Sequence, residues 1–542
     1  MRTRLRNVAR DSGAAANARL LRALPDSGRG RRLTTATHAS LLLALLLLAP
    51  GCGRGAAIPA PPASTPLDGG TLRYALSADP VSVTPLGSGD AAGLIVERNV
   101  FAGLVDLDPG TLQTVPAIAR RWSVSADART ITFSLRAGVR FQAGAGAVTA
   151  ETFVRDWSLL CSPSVASPNA SLLAPIAGYA DCRRGSGTLS GVRASGALTL
   201  IVTLEQPFRD FVSVLTDPAT WAFPPQLAAS AAQRTAFEQA PVGAGPFQIA
   251  SWTHGQAVPG KAAVAGDVIL ERNPGYYGRA AHLQRIDLPV VDAANPAASF
   301  ARYRGGDLDV LEVAASQVDV VRADPTFSRQ LVDYPRLQLI CLIALDPRSA
   351  SLSQRTALAA ALDPGSVVSD VFGKAGQVAD GLVPAGTPGY LPGVAPPAST
   401  VGPGGLVGRV VLERPKQPLL QAMADSLLRH LRNAGVSATS SDHGAYQLRV
   451  LDAGYPSPDA LLAPIVVQTG ASPGLLDDAR AATDAATRDA LYVAAERTLL
   501  ARRVVMPIAF GQTELLVAPR VEGLMYHALG APRLADAWIA RR

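Results

Sequence analysis

The sequence predicts an α/β fold, and three observations carry that expectation. GRVVLERP (408–415), the amphipathic PLLQAMADSLLRHLRNAG (418–435), and the strand-like VSATSS (436–441) and YQLRVLDAGY (446–455) read as strand, helix, strand, the unit from which α/β lobes are built. DALYVAAERTLLARR (489–503) followed by VVMPIAF (504–510) repeats the step from helix to strand. About 490 residues follow the apolar leader, and single cores stop growing near 250–300 residues, so two or more lobes are expected.

The leader comes first in the chain. ASLLLALLLLAPGCGRG (39–55) is an apolar run that stops at a cysteine. Its unbroken core, 41–49, is far short of the roughly 20 residues a spanning helix needs. It fits the h-region of a secretory signal, about 7–15 residues behind a basic n-region. Arg2, Arg4, Arg6, Arg10, Arg19, Arg22, Arg29, Arg31 and Arg32 supply that charge. With Ala49, Pro50 and Gly51 leading into Cys52, the segment resembles a bacterial lipoprotein signal. The resemblance implies that residues 1–51 are removed and that Cys52 carries a lipid. The exported chain would then be held at the outer face of the cytoplasmic membrane. Residues 52–70, rich in Pro, Ala and Gly, read as a flexible tether.

The leader also accounts for the charge. The full chain carries 50 Lys and Arg against 43 Asp and Glu, net +7. Residues 1–51 hold nine Arg and two acids, which leaves 41 of each sign and a neutral body. A neutral body with three lysines (Lys261, Lys374, Lys416) and no basic cluster makes no case for nucleic acid as a partner. Of the four cysteines, Cys161 and Cys182 bracket a loop-rich stretch and form a candidate disulfide in an exported chain. Cys341, within LQLICLIAL, reads as a buried thiol. Neither C-x-x-C spacing nor a His cluster occurs, so no metal or cofactor is expected.

The remaining elements follow in order from Thr71. RTITFSLRAGVRF (129–141) alternates polar and apolar residues and turns at Ala137-Gly138, which predicts a hairpin. LTLIVTLEQPF (198–208) and DVILERNP (267–274) are strands ended by turn residues. In 418–435, Leu420, Met423, Leu427, Leu428 and Leu431 share one face, and Gly435 stands where a C-cap belongs.

Several ordered blocks resemble one family. They are 97–141 (ERNVFAGLVDLDPG to VRF), VTAETFVRDW (148–157), PVGAGPFQIASW (241–252), VILERNPGYYG (268–278), YRGGDLDV (303–310), RTALAAALDPGSVVSDVFG (355–373) and ATRDALYVAAERTLLARRVVMPI (486–508). Together they are similar to the extracellular solute-binding proteins, family 5, of dipeptide-, oligopeptide- and nickel-importing ABC transporters. The resemblance implies a two-lobed periplasmic-binding-protein-like clamshell of type II, in the large class with an extra subdomain. Lobe one would hold 71–310 and 506–542, with the subdomain at about 147–196, and lobe two would hold 311–505. It also implies a monomer without catalysis or cofactor. Such a chain closes on a polar solute, peptide foremost, and hands it to permease subunits that work with separate ATPase chains.

One departure bears on the ligand. Peptide-binding members carry a motif near W-x-A-D-Y-x-x-P, whose Asp holds the peptide α-amino group. In this chain Leu451, Asp452, Ala453, Gly454 and Tyr455 stand there, with Gly454 in the Asp position and Leu451 in the Trp position. A buried ammonium without a paired charge is costly, so the resemblance predicts a weakened grip on free amino termini. Asp452 and Asp459 stand nearby but out of register. Asp restored at Gly454 is expected to raise affinity for free-amine peptides. Tyr455 keeps its place, so this loop is expected to line the cleft. Trp221 in DPATWAFPP and Asp346 complete the candidate ligand-binding residues, while Phe101, Asn273, Tyr276 and Tyr277 read as packing.

Two other readings compete. Gly470-Ala471-Ser472-Pro473-Gly474 satisfies G-x-S-x-G, and Asp477 or Asp484 followed by His527 would complete a Ser, Asp, His order. Pro473 removes the backbone N–H that an oxyanion hole needs after the serine, and Ser472 with Pro473 equally suits a helix start. A hydrolase is therefore not expected. The alternative within the fold is a surface lipoprotein that binds glycan or glycolipid, or that regulates envelope synthesis.

Overall fold

The computed structural model describes residues 65–87, 89–224, 230–255, 266–345, 350–391, 394, 409–470 and 474–541. Cys52, Asp346 and Ser472 lie outside the described residues, and of His527 only the backbone is described. The largest sheets among the described residues are one of seven strands and two of four, and one of the latter runs Ala119–Val124, Thr130–Leu135, Thr199–Thr203, Val192–Ala194; the other two sheets frame the fold. The first has four strands in the order Thr71–Arg73, Arg285–Pro289, Asp267–Arg272, Phe247–Thr253. Thr71–Arg73 runs parallel to its neighbour and the other pairings are antiparallel. Leu72, Ile286, Leu288, Val268 and Leu270 are fully buried, the alternation that a half-covered sheet demands.

The second sheet has seven strands. Its main path runs Val310–Glu312, Val505–Val517, Leu331–Ala344, Tyr446–Asp452, Val410–Glu413, Ala438–Ser441, and Gln377–Val378 adds to Val505–Val517. Val410–Glu413 is parallel to both neighbours, and the helix Pro418–Asn433 crosses between it and Ala438–Ser441. That helix buries Leu420, Met423, Leu427, Leu428 and Leu431, the stripe read from the sequence. Each such side chain removed from water contributes about 1.5–3 kcal/mol. Gly435 follows with φ +80°, the left-handed turn that ends helices.

Two elements differ from expectation. The strand Thr130–Leu135 does not pair across Ala137-Gly138; it pairs with Ala119–Val124 before it and Thr199–Thr203 after it. The turn that closes the real hairpin is built by Asp127, which accepts from the Ser125 hydroxyl and from the Arg129 backbone N–H. The second is the strand expected at 504–510, which continues to Val517 because Leu331–Ala344 supplies a partner along most of its length.

The two sheets are tied through a buried acid. Tyr74, just past the first strand, bridges Val310 in parallel. Between them Asp309, 1% exposed, accepts from the Arg73 backbone N–H and Nε at 2.9 and 3.2 Å and from Arg520 Nε at 2.7 Å. A carboxylate so buried is tolerated only with such partners. Cys161 and Cys182 are joined as a disulfide, with Cα atoms 6.0 Å apart. Cys341 is a buried free thiol whose pKa burial pushes up to about 12. Among the described residues no helix is long and apolar enough to cross a membrane.

Candidate functional site

A cleft of about 1030 Å³ opens between two walls. The first wall comes from the N-terminal half. The helix Ala91–Val100, capped by the Asp90 side chain accepting from Gly93 N–H at 2.8 Å, presents Leu94 and Arg98. Phe208 and Asp217 come from loops, Val214 from the short helix Phe211–Val214 and Pro218 from the 3₁₀ turn after it. The second wall comes from the end of the strand Tyr446–Asp452, the loop after it and the helix Pro458–Thr469. Ser457 caps that helix and Pro458 occupies its first position, where a missing N–H costs nothing.

The second wall satisfies its own charges. Asp459, 1% exposed, receives a two-pronged bond from Arg480, Nε to Oδ1 at 2.8 Å and Nη2 to Oδ2 at 3.1 Å. The Tyr455 hydroxyl donates to Asp459 Oδ2 at 2.9 Å and Tyr492 donates to Oδ1 at 3.4 Å. Burial, reinforced by the Asp459 charge, holds the Tyr455 phenol well above its ordinary pKa, so it stays a donor. Asp452 accepts from Arg336 at 3.1 Å and from the Gln338 amide at 2.7 Å. Arg449 on the same wall donates to Gln447 at 3.2 Å.

The first wall is less complete. Arg98 is buried with its guanidinium 5.6 Å over the Trp221 ring, and its Nε has no hydrogen-bond partner among the described residues. Burial lowers its pKa, while Asp106, Asp217 and Glu97 act against that. Asp217 caps the short 3₁₀ turn Pro218–Thr220, its Oδ1 accepting from Ala219 N–H at 2.9 Å. Burial pushes the Asp217 pKa up to about 6, against the Ala219 bond and the Arg98 charge. Phe208 lies under the Arg480 guanidinium at 5.2 Å, and Arg488 pairs with Asp210 at 2.7 Å, so the walls also touch each other.

Of the candidate residues, the structure brings Asp452, Ala453, Gly454 and Tyr455 together in the cleft. Trp221 is not on the cleft wall. It is 2% exposed behind Arg98, packed against Gly103, where any β-carbon would fall 2.2 Å from its ring. Of the residues in the hydrolase reading, Asp484 caps the helix Ala485–Ala501 and Asp477 lies 3.9 Å from Arg480. Among the described residues no group of three or more His, Cys, Asp or Glu could hold a metal. Sequence reasoning missed Arg98, Asp217 and Arg480. Only Asp217 carries a sequence signal, as an Asp-Pro pair four residues before Trp221.

The model of the bacterial extracellular solute-binding proteins, family 5 middle region, matches residues 113–425. A probable deoxycholate-binding periplasmic protein, YgiS of Escherichia coli K12, is 30% identical over 288 residues, 51% of this chain and 50% of that protein. The periplasmic oligopeptide-binding protein OppA of the same organism is 30% identical over 223 residues, 40% of this chain and 38% of that protein. The chain thus spans half or less of the length of these curated relatives. The solved Escherichia coli murein tripeptide binding protein MppA superposes with a TM-score of 0.72 at 21% identity, covering 87% of this chain and 99% of that one. The fold is accordingly a two-lobed clamshell, and the relatives matched are binding proteins. With the family model spanning more than half of its length, the chain belongs to the bacterial extracellular solute-binding proteins, family 5.

Proposed function

We propose that this chain is the solute-binding component of an ABC importer, which closes on a polar solute and delivers it to permease subunits driven by separate ATPase chains. Peptide is the ligand class we favour. The cleft carries this reading: about 1030 Å³ is at the top of the roughly 300–1,000 Å³ range of small-molecule sites, enough for a short peptide. Arg98 and Asp217 on the first wall offer it one group of each sign, as a zwitterionic solute requires. Names among the relatives, oligopeptide- and murein tripeptide-binding, support the same class. Closure would be a hinge motion that the ligand stabilises. A lipid on Cys52 belongs to the proposal, supported by the leader sequence.

Native mass spectrometry of the chain purified from membranes without refolding tests both parts. A chain that begins at a lipid-modified Cys52 supports the anchor, and an unmodified chain recovered only in the soluble fraction overturns it. A ladder of bound peptide masses supports the cargo. A single non-peptide mass overturns the peptide class. So does an empty protein that a peptide library fails to stabilise, since a ligand at 100 times its Kd should add about 2.7 kcal/mol; that result would favour the envelope lipoprotein.

A further inference from the structure

We propose that Asp217, reaching across the cleft to Gly454, is the side chain that holds the cationic group of the ligand. The proposal rests on the peptide reading in taking that cation to be an α-ammonium.

Placement is the first argument. Asp217 lines the cleft, and its Oδ1 is spent on the Ala219 N–H. That bond and Pro218 set the direction of the carboxylate. The other oxygen, Oδ2, makes no hydrogen bond among the described residues. It lies 2.3 Å from where a β-carbon on Gly454 would stand, with Cγ at 3.5 Å. The carboxylate from the first wall therefore fills the volume in which any side chain at 454 would begin. Glycine at 454 is what admits it.

Comparison with the other acids of the cleft is the second argument. Asp459 is held by Arg480 and two tyrosines. Asp452 is held by Arg336 and Gln338. Asp90 caps a helix, and Glu205 accepts from Gly178 N–H at 3.0 Å. Asp452 and Glu205 also leave one oxygen without a hydrogen bond among the described residues, but Asp452 is 56% exposed beside Arg336 and Glu205 is exposed to water. The remaining acid of the lining, Asp477, is 62% exposed and 3.9 Å from Arg480. Asp217 keeps an oxygen in reserve, and Arg98 acts on it through its field without an ion pair among the described residues. Even a half-buried carboxylate is costly without a cation, and partial withdrawal from water pushes its pKa up to about 6. An ammonium in the cleft would supply the missing charge.

The position also alters the expectation for Gly454. Asp introduced there would meet the Asp217 carboxylate, and two like charges in one space repel. Position 454 and position 217 can thus supply one carboxylate between them, and in this chain it comes from 217.

The test offers the purified chain a randomised tetrapeptide library with free amino termini and, separately, the same library N-acetylated, with bound masses read by native mass spectrometry. Wild type should retain the free-amine library at least tenfold better than the acetylated one. Asp217→Asn keeps an oxygen for the Ala219 N–H, so it preserves the local turn, and it should lose that preference. Asp217→Ala combined with Gly454→Asp should regain it, and Gly454→Asp alone should not strengthen binding. If Asp217→Asn retains free-amine peptides as wild type does, the assignment of Asp217 is overturned and the peptide reading stands. If wild type retains neither library, both are overturned.

Discussion

Both walls of the cleft carry charges of both signs and use them differently. On the second wall Asp459 and Arg480 meet in a buried pair that two tyrosines complete. On the first wall Arg98 and Asp217 are both half-provided: the arginine lies over a tryptophan and the aspartate is bonded through one oxygen. A satisfied network stiffens a wall, whereas an incomplete one leaves interaction energy for a ligand to collect. Under the proposal for Asp217, the difference assigns construction to the second wall and capture to the first.

Three substitutions break or sharpen this contrast. The largest effect is expected from Asp459→Ala, which strands Arg480 and two tyrosine hydroxyls. Removing one member of a buried pair costs about 3–5 kcal/mol; Arg480 keeps some solvent contact, so a loss near the lower bound should appear in equilibrium denaturant unfolding. A loss below about 1 kcal/mol, the range of surface pairs, would remove the distinction between the walls.

Gly454→Ala should act on binding with little change in unfolding. Its methyl group would push Asp217 Oδ2 from its place, and the displaced carboxylate can swing because it is a side-chain end. Misplacing one polar contact worth about 0.5–1.5 kcal/mol should weaken free-amine peptide binding roughly three- to tenfold by titration calorimetry. Unchanged affinity would show that the carboxylate position is immaterial. The smallest effect belongs to Asp452→Asn. Its side chain is 56% exposed in the pair with Arg336, so the stability change should stay below about 1 kcal/mol; a larger one in the same denaturant assay would make Asp452 part of the structural network.

Much of the frame was legible from the chain alone. The helix Pro418–Asn433 and its flanking strands were readable because their apolar periods of 3.6 and 2 are local properties. The loop at 452–455 was readable through the resemblance, and it does line the cleft. The hairpin at 129–141 was misread because a turn signal marks where a strand ends and says nothing of which neighbour it joins. Trp221 was placed on the cleft because its apolar surface suits a wall as well as a core, and only Gly103 and Arg98 decide between them.

By itself, the sequence determined the class of lobes, the neutral body behind a basic leader, and the absence of a carboxylate at position 454. The tertiary structure alone decided that Asp217 stands at that same place. The two residues are 237 positions apart in the chain, and no periodicity or spacing links them. Their meeting depends on how two walls built from distant segments come together, and that is settled by long-range packing.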